Sequence, residues 1–275
     1  MELARSVTLP DYSAFHYVWR TVNGAKFMSG VRARVMFLNS FFAFYFRAWD
    51  QVAVYAYCVM SNHYHMVAEL LNESRHMSRW AHSAHTSFAQ KLNRLKKRKG
   101  PVGMGRFKSV IAESSEAIMH MMFYSDWNPV VANMAKNPGQ YKYSSYRFYA
   151  FGEVNEWTKH LTIPHWYTDL ADTDEERQKL YQDLSYAWWD LYGDKLKARM
   201  HKLQGIPAGT ERYLKKREDF LRMAANQARR GRWSRKEVNY LAAIALGREP
   251  NPVKPEVNKT RWKDPVPDRP PGNGT

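Results

Sequence analysis

The hydrophobic pattern of the first half of the chain switches repeatedly between strand and helix periodicity. Aromatic and β-branched residues alternate with polar ones at 15–22, which predicts a strand. Later β-rich runs are separated by the turn signal Ser61-Asn62. The predicted elements are a strand at 15–22, a helix at 32–49, strands at 51–60 and 63–70, a helix at 78–100, a strand at 106–113 and a helix at 114–127.

This order, βαββαβα, predicts an α+β domain with a central antiparallel sheet sandwiched by helices, of the split βαβ type. We expect the runs 51–60 and 63–70 to form a hairpin of two central strands. The last helix is expected to begin at a cap formed by Ser114 or Ser115, because both precede its apolar positions.

The patterning changes after Gly152. Residues 142–157 are aromatic without a clear period, which predicts a loop, and the chain from there to residue 246 has helical patterning without a strand signal. Residues 234–237 fit a capping box. Proline and charge dominate the end, which predicts a disordered tail. We therefore divide the chain into a domain at 1–152, a basic helical region at 153–246 and a tail at 247–275.

Charge narrows the class of partner. The 275 residues include 42 Lys and Arg against 26 Asp and Glu, a net charge of +16, which favours nucleic acid or an anionic membrane surface. No apolar run has the length of a membrane span and the N-terminus lacks a signal-peptide core, so nucleic acid and a cytoplasmic location are expected. The single cysteine, Cys58, is expected to be a small buried core residue.

Two histidines flank Tyr64 in one predicted strand. Residues two apart in a strand project from the same face, so His63 and His65 can converge on a divalent metal. A lone His-x-His pair is a weak signal and needs a further ligand. His82 and His85 form a second pair at helical spacing, but neither has a neighbouring carboxylate or cysteine, and we expect them to be surface or groove residues.

Four landmarks together resemble the single-tyrosine HUH transposases, and most closely the REP-associated tyrosine transposases. They are SNHYHMV, GRFKSVI, YSDWNPVVANM and the run at 141–146, and the resemblance covers roughly residues 15–149. It implies that His63 and His65 bind Mg²⁺ or Mn²⁺ and that Tyr124 attacks a phosphodiester of single-stranded DNA. It also implies a homodimer in a bacterial, nucleoid-associated setting. Tyr64 stands where the family usually has an apolar residue and is expected to point into the core.

A cation suits this reaction for reasons independent of the resemblance. A tyrosine hydroxyl, with a pKa of about 10, is a poor nucleophile at neutral pH, and a phosphodiester is anionic. Mg²⁺ prefers oxygen ligands, and Asn128 lies one helical turn after Tyr124, where the family commonly has a polar ligand. The alternative is that Asn128 caps a helix whose first residue is Pro129.

Tyr124 is selected from 17 tyrosines. Its position between an apolar helix face and the Asn-Pro landmark favours it over its competitors Tyr141, Tyr143 and Tyr146. Relatives often carry a basic residue after Asn-Pro-Val, whereas this chain has Val131, so one DNA contact of the family is expected to be missing.

A basic run at 91–108 contains eight Lys and Arg and no acidic residue. A solvated helix face is the common alternative, but nearby aromatic residues predict a groove that neutralises phosphates and stacks unpaired bases. The residues expected to bind DNA are Arg94, Lys96, Lys97, Arg98, Lys99, Arg106, Phe107, Lys108, Tyr143 and Tyr146. Positive charge also concentrates at 195–237, which is expected to contact a hairpin stem.

The sequence therefore predicts a metal-dependent single-stranded DNA endonuclease and strand transferase that forms a 5′-phosphotyrosine intermediate on hairpin-containing DNA. A nucleic-acid-binding protein that kept the fold and lost transfer is one alternative. A replication-initiator or relaxase-type nickase with the same site chemistry is another.

Overall fold

The structure is a computed structural model that describes residues 13–112 and 114–198. These residues form an α+β fold with a four-stranded antiparallel sheet and helices on both faces. The elements are β1 (Ala14–Arg20), α1 (Val31–Ala43), β2 (Val52–Val59), β3 (His63–Leu70), α2 (Ser74–Leu95), β4 (Lys108–Ala112), α3 (Ser115–Val131), α4 (Tyr146–Phe151), α5 (His165–Thr168) and α6 (Asp174–Ala198). The predicted order is confirmed from β1 through α3. The predicted capping box at 234–237 and tail at 247–275 lie outside the described residues, and the division at residue 152 stays a prediction.

The strands are ordered β2-β3-β1-β4, so β2 is an edge strand. The prediction that 51–60 is a central strand is therefore wrong. All eight residues of β2 are buried because the chain after α3 covers its outer edge. The amide of Val59 donates to the carbonyl of Tyr143 at 2.9 Å, and the amide of Ser145 donates to Tyr57 at 2.9 Å. Because its outer edge is covered in this way, the edge strand β2 can have the continuous apolar sequence that is usual for a central strand.

β2 and β3 form the predicted hairpin around Ser61-Asn62, where the amide of Met60 donates to the carbonyl of His63 at 2.8 Å. Cys58 lies opposite His65 in this pair and is completely buried, as predicted. Because successive side chains of a strand point to opposite faces, His65 and Tyr64 of β3 lie on opposite faces of the sheet.

An aromatic layer fills the space between one sheet face and helices α1 and α2. Tyr64 is 1% exposed, and its ring centroid lies 4.5 Å from that of Phe37, which confirms that it points into the core. His85 of α2 stacks on Trp19 at 4.2 Å, and burial lowers its pKa to about 3. His85 is half-buried between α2 and the sheet, which agrees with the expected groove residue, and His82 is exposed as expected. The ring of His85 packs inward because Trp19 offers it an apolar stacking partner.

On the opposite sheet face, α3 lies between the strands and α6. The helix begins at the predicted cap, where the Ser114 hydroxyl accepts a hydrogen bond from the amide of Ala117 at 3.1 Å. Trp127 stacks on Trp189 of α6 at 4.3 Å and donates to the Ser185 hydroxyl at 2.8 Å. These contacts fix the side of α3 that faces away from the sheet.

The aromatic segment predicted as a loop contains the short helix α4, which ends at Gly152 with a φ of +68°. The left-handed backbone at this position favours glycine and ends the helix. Within residues 13–112 and 114–198, no helix is long and apolar enough to cross a membrane.

Candidate functional site on one face of the sheet

The fold brings the four residues predicted for the catalytic centre together. β3 projects His63 and His65 from one face, where their ring centroids lie 4.8 Å apart. α3 crosses this face and places the Tyr124 ring 5.4 Å from that of His65. The side chain of Asn128 interacts with both histidines and with the Tyr124 hydroxyl. The site therefore combines two imidazoles, one phenol and one amide.

Asn128 is an interior residue of α3 and does not cap a helix. The helix runs from Ser115 through Pro129 to Val131, and the carbonyl of Asn128 accepts a hydrogen bond from the amide of Ala132 at 3.0 Å. The alternative with Pro129 as a first helical residue is therefore wrong. Packing of this last turn against the core keeps the backbone helical beyond the Asn-Pro pair, and Asn128 remains 8% exposed.

Both predicted histidines are neutral at neutral pH. Burial and, to a smaller extent, the charge of Arg20 lower the pKa of His63 to about 4, although Asn128 opposes the shift. Burial and the neighbouring His63, His16 and Arg20 place the pKa of His65 well below its ordinary value. Neutral imidazoles keep a lone pair on one ring nitrogen, so both side chains can act as ligands.

Sequence reasoning missed His16 of β1, which contacts the site directly. Its Nε2 atom lies 2.9 Å from Nδ1 of His65, and the two rings lie edge to edge and nearly coplanar, with centroids 5.0 Å apart and an interplanar angle of 9°. The ring of Tyr124 lies 5.6 Å away, edge to face. Burial lowers the pKa of His16 to about 4, with a further contribution from His63.

The strand alternation at 15–22 already separates His16 from the aromatic residues Phe15 and Tyr17. That signal assigns His16 to the other face of β1 without saying what lies there. The strand register places His16 at the site, because Val18, two residues further along β1, is paired with His65 of β3. His16 is thus one position along the same face from the predicted ligand.

Arg20 is a second residue that sequence reasoning missed. It is paired with His63 across the β1–β3 ladder and is exposed. Burial raises the pKa of Tyr124, while a hydrogen bond with Asn128 and the charge of Arg20 oppose the rise. The phenol is therefore protonated at neutral pH, and two neighbouring groups favour its anionic form.

The donor set suits a divalent cation with open coordination positions. Nδ1 of His63 lies 2.7 Å from the Asn62 side-chain oxygen, and Nδ1 of His65 is engaged by His16. Nε2 of His65 is buried and has no hydrogen-bond partner among the described residues. In the described part of the chain, no three His, Cys, Asp or Glu side chains are placed to hold a metal. Two imidazole nitrogens and an amide oxygen therefore form the available set, which differs from the closed sites of structural zinc.

No protein-family model and no curated protein matches the sequence. A solved structure of a REP-associated tyrosine transposase bound to a REP hairpin is similar to 56% of this chain and 89% of that chain, with 15% sequence identity and a TM-score of 0.46. The similarity is distant and concerns the fold alone. The roles of individual residues in this chain rest on the geometry above.

The predicted basic run lies at the end of α2 and the start of β4. Most of its side chains are exposed: Arg94, Lys96, Lys97, Lys99, Arg106 and Lys108. Arg98 is half-buried instead, because its guanidinium lies 4.6 Å from the Phe27 ring and donates to the carbonyl of Pro101 at 3.1 Å. The exposed positions are accessible to phosphates, whereas Arg98 also stabilises the loop after α2.

Two of the predicted base-stacking residues are core residues. Phe107 is 7% exposed and stacks on Tyr17 at 4.2 Å. Tyr146 is 1% exposed and lies against Tyr181. Neither ring offers a free face to a base, because each fills the core next to another aromatic ring. Tyr143 is half-buried, with the guanidinium of Arg34 5.0 Å from its ring centroid.

Proposed function

We propose that the protein is a metal-dependent single-stranded DNA endonuclease and strand transferase with Tyr124 as its nucleophile. The observation that supports this most is the convergence of Tyr124, Asn128, His63 and His65 on one sheet face. A half-buried phenol next to neutral imidazoles is an arrangement that suits a cation-assisted attack on a phosphodiester. The strand order, with β3 between β1 and β2, agrees with a split βαβ unit. On this proposal the chain is a single-tyrosine HUH transposase.

His63, His65 and Asn128 would hold the divalent cation, Mg²⁺ or Mn²⁺. When bound, such an ion withdraws charge from the phosphate oxygens and stabilises the charge that develops in the transition state. The protein's own contribution is to keep both imidazoles neutral by burial. Asn128 and Arg20 favour the anionic form of the phenol that attacks.

The covalent step exchanges one phosphate ester for another. The Tyr124 oxygen forms a bond to phosphorus as the bond between phosphorus and the 3′-oxygen breaks. The phenol releases its proton to solvent, and the departing 3′-oxygen takes up a proton from solvent. The products are a 5′-phosphotyrosine and a free 3′-hydroxyl. Because an ester bond is conserved, a second 3′-hydroxyl can reverse the step and join a new strand without ATP. Hairpin-containing DNA is the proposed substrate, and the homodimer and the bacterial cytoplasm stay predictions.

The test is a search for the covalent intermediate. The full-length protein is incubated with Mn²⁺ or Mg²⁺ and end-labelled single-stranded oligonucleotides from the flanks of its own gene, and the products are separated on a denaturing gel. We expect an adduct with the wild type and with the Tyr143→Phe control, and none with Tyr124→Phe. A nucleotide mapped by mass spectrometry to another tyrosine would refute the assignment. Binding without cleavage or adduct would favour the nucleic-acid-binding alternative.

A further inference from the structure

Both histidines of the site are held through the same ring nitrogen. Nδ1 of His65 lies 2.9 Å from Nε2 of His16, and Nδ1 of His63 lies 2.7 Å from the Asn62 side-chain oxygen. The partners come from different elements, since His16 lies on β1 and Asn62 on the turn before β3. In each imidazole, this leaves Nε2 as the nitrogen available to the site.

The orientation of the Asn62 amide decides the proton position on His63. Its nitrogen donates to the carbonyl of Gly24 at 3.1 Å, so its oxygen is the atom that faces the histidine. An amide oxygen only accepts hydrogen bonds, and Nδ1 of His63 therefore carries the proton. A neutral imidazole has one N–H, so Nε2 of His63 has the lone pair.

The same argument applies to His65, but its partner His16 can either donate or accept the hydrogen bond. His16 and His65 are both neutral, and either can donate in the bond between them. Only donation by Nδ1 of His65 leaves a lone pair on its buried Nε2, which has no hydrogen-bond partner among the described residues. Metal-binding histidines commonly donate their second N–H to a fixed acceptor, and loss of that acceptor lowers metal affinity about 10- to 100-fold.

We propose that His16 and Asn62 are positioning residues that hold His65 and His63 as Nδ1–H tautomers, so that both Nε2 lone pairs serve one divalent cation. This inference rests on the proposed function of the site. It assigns a role in the chemistry to a β1 residue outside the His-x-His motif and to the asparagine that precedes that motif. His16 acts through His65, and Asn62 acts through His63.

The first readout is the tautomer of each histidine in the metal-free, full-length protein, measured by ¹⁵N-edited NMR of the imidazoles at neutral pH. We expect His63 and His65 of the wild type to be protonated on Nδ1. His16→Leu removes the acceptor of His65 alone, and Asn62→Ala removes that of His63 alone. Each variant should therefore shift its own histidine towards the Nε2–H form and leave the other unchanged.

The second readout is the affinity for Mn²⁺ alone, measured by calorimetry. We expect His16→Leu and Asn62→Ala each to weaken binding about 10- to 100-fold. His16→Gln places an amide oxygen where Nε2 was and should keep binding within a few-fold of wild type. If His16→Gln lost as much affinity as His16→Leu, His16 would be a direct ligand and the positioning role would be wrong.

The proposal fails if wild-type His65 is protonated on Nε2, or if His16→Leu changes neither its tautomer nor the Mn²⁺ affinity. Should His16→Leu not fold, His16→Gln and Asn62→Ala still decide the matter. These outcomes are separate from the adduct assay, because a wrong tautomer with an intact Tyr124 adduct would overturn only the positioning role. Correct tautomers without any adduct would overturn the nuclease and leave the positioning role in place.

Discussion

Tyr181 of α6 donates a 2.5 Å hydrogen bond to the carboxyl of Asp126, which lies two residues after Tyr124 on α3. Both side chains are completely buried. Burial raises the pKa of Asp126 to about 8, and the bond from Tyr181 opposes the rise. Helix α6 is thus joined to α3, the helix that bears the proposed nucleophile, through a carboxyl group that is largely protonated at neutral pH.

Asp126→Asn should stabilise the protein increasingly as the pH rises. The folded state keeps a proton on Asp126 up to about pH 8, whereas the unfolded chain releases it near its ordinary pKa of 3.8. The wild type therefore loses stability between pH 4 and 8, and each unit of this range costs about 1.4 kcal/mol at most. Asparagine has no proton to release. Thermal unfolding at pH 4, 6 and 8 should show a gain in Tm for the variant only at the higher pH, and a constant difference would contradict the assignment.

The lowered pKa values of His16 and His63 should make the free energy of unfolding decrease as the pH falls, which is opposite to the effect of Asp126. The pKa values of His16 and His63 are lowered from 6.5 to about 4, so the unfolded chain binds protons that the folded protein excludes. Their contribution to stability is present above pH 6.5 and is lost as the pH falls towards 4. His16→Gln should reduce this acid sensitivity relative to the wild type. Unfolding by urea at pH 4.5 and 7 measures the difference.

Cleavage should require a divalent metal and both histidines of β3. His63→Ala or His65→Ala removes one of the few available metal ligands and should lower the cleavage rate at least 100-fold without loss of the fold. His82→Ala, on an exposed position of α2, is the matched control. Rates on a labelled oligonucleotide, with circular dichroism as the fold check, test this. Full activity in EDTA would contradict it.

The chemistry of the Asn128 side chain should set metal preference. Asn128→Ala removes the proposed oxygen ligand of the metal and the hydrogen bond to Tyr124, so the rate of Mg²⁺-dependent cleavage should fall about 100-fold. Asn128→Asp restores an oxygen donor with a charge and should recover Mg²⁺ binding above that of the alanine variant. Titrations of Mg²⁺ and Mn²⁺ against cleavage rate compare the three proteins. Equal Mg²⁺ affinities in all three would remove Asn128 from the ligand set.

Binding of single-stranded or hairpin DNA should weaken steeply with salt. Charge reversal at the exposed Arg106 and Lys108 should lower affinity further and reduce the slope of log K against log salt by about 0.7 for each lost phosphate contact on a single strand. Lys159→Glu, an exposed lysine outside the basic run, is the control. Fluorescence anisotropy between 50 and 300 mM salt provides the measurement. A flat response would exclude an electrostatic groove.

The local elements were predictable because their determinants are local. The turn at Ser61-Asn62, the cap at Ser114 and the strand that carries His63 and His65 follow from periodicity and side-chain chemistry. The one-turn spacing of Tyr124 and Asn128 predicted that they share a helix face. The end of that helix was not predictable from the Asn-Pro pair, because packing against α6 overrides the local preference.

The sequence by itself determined the order of elements, the alternation that puts His63 and His65 on one face, and the helical spacing of Tyr124 and Asn128. Only the tertiary structure decided which strands are central, which aromatic rings are buried, and that His16 reaches Nδ1 of His65. The physical reason is that strand order and register are set by contacts between distant segments. The periodicity of a single strand assigns a residue to a face, but it does not say which residue of another strand lies next to it there.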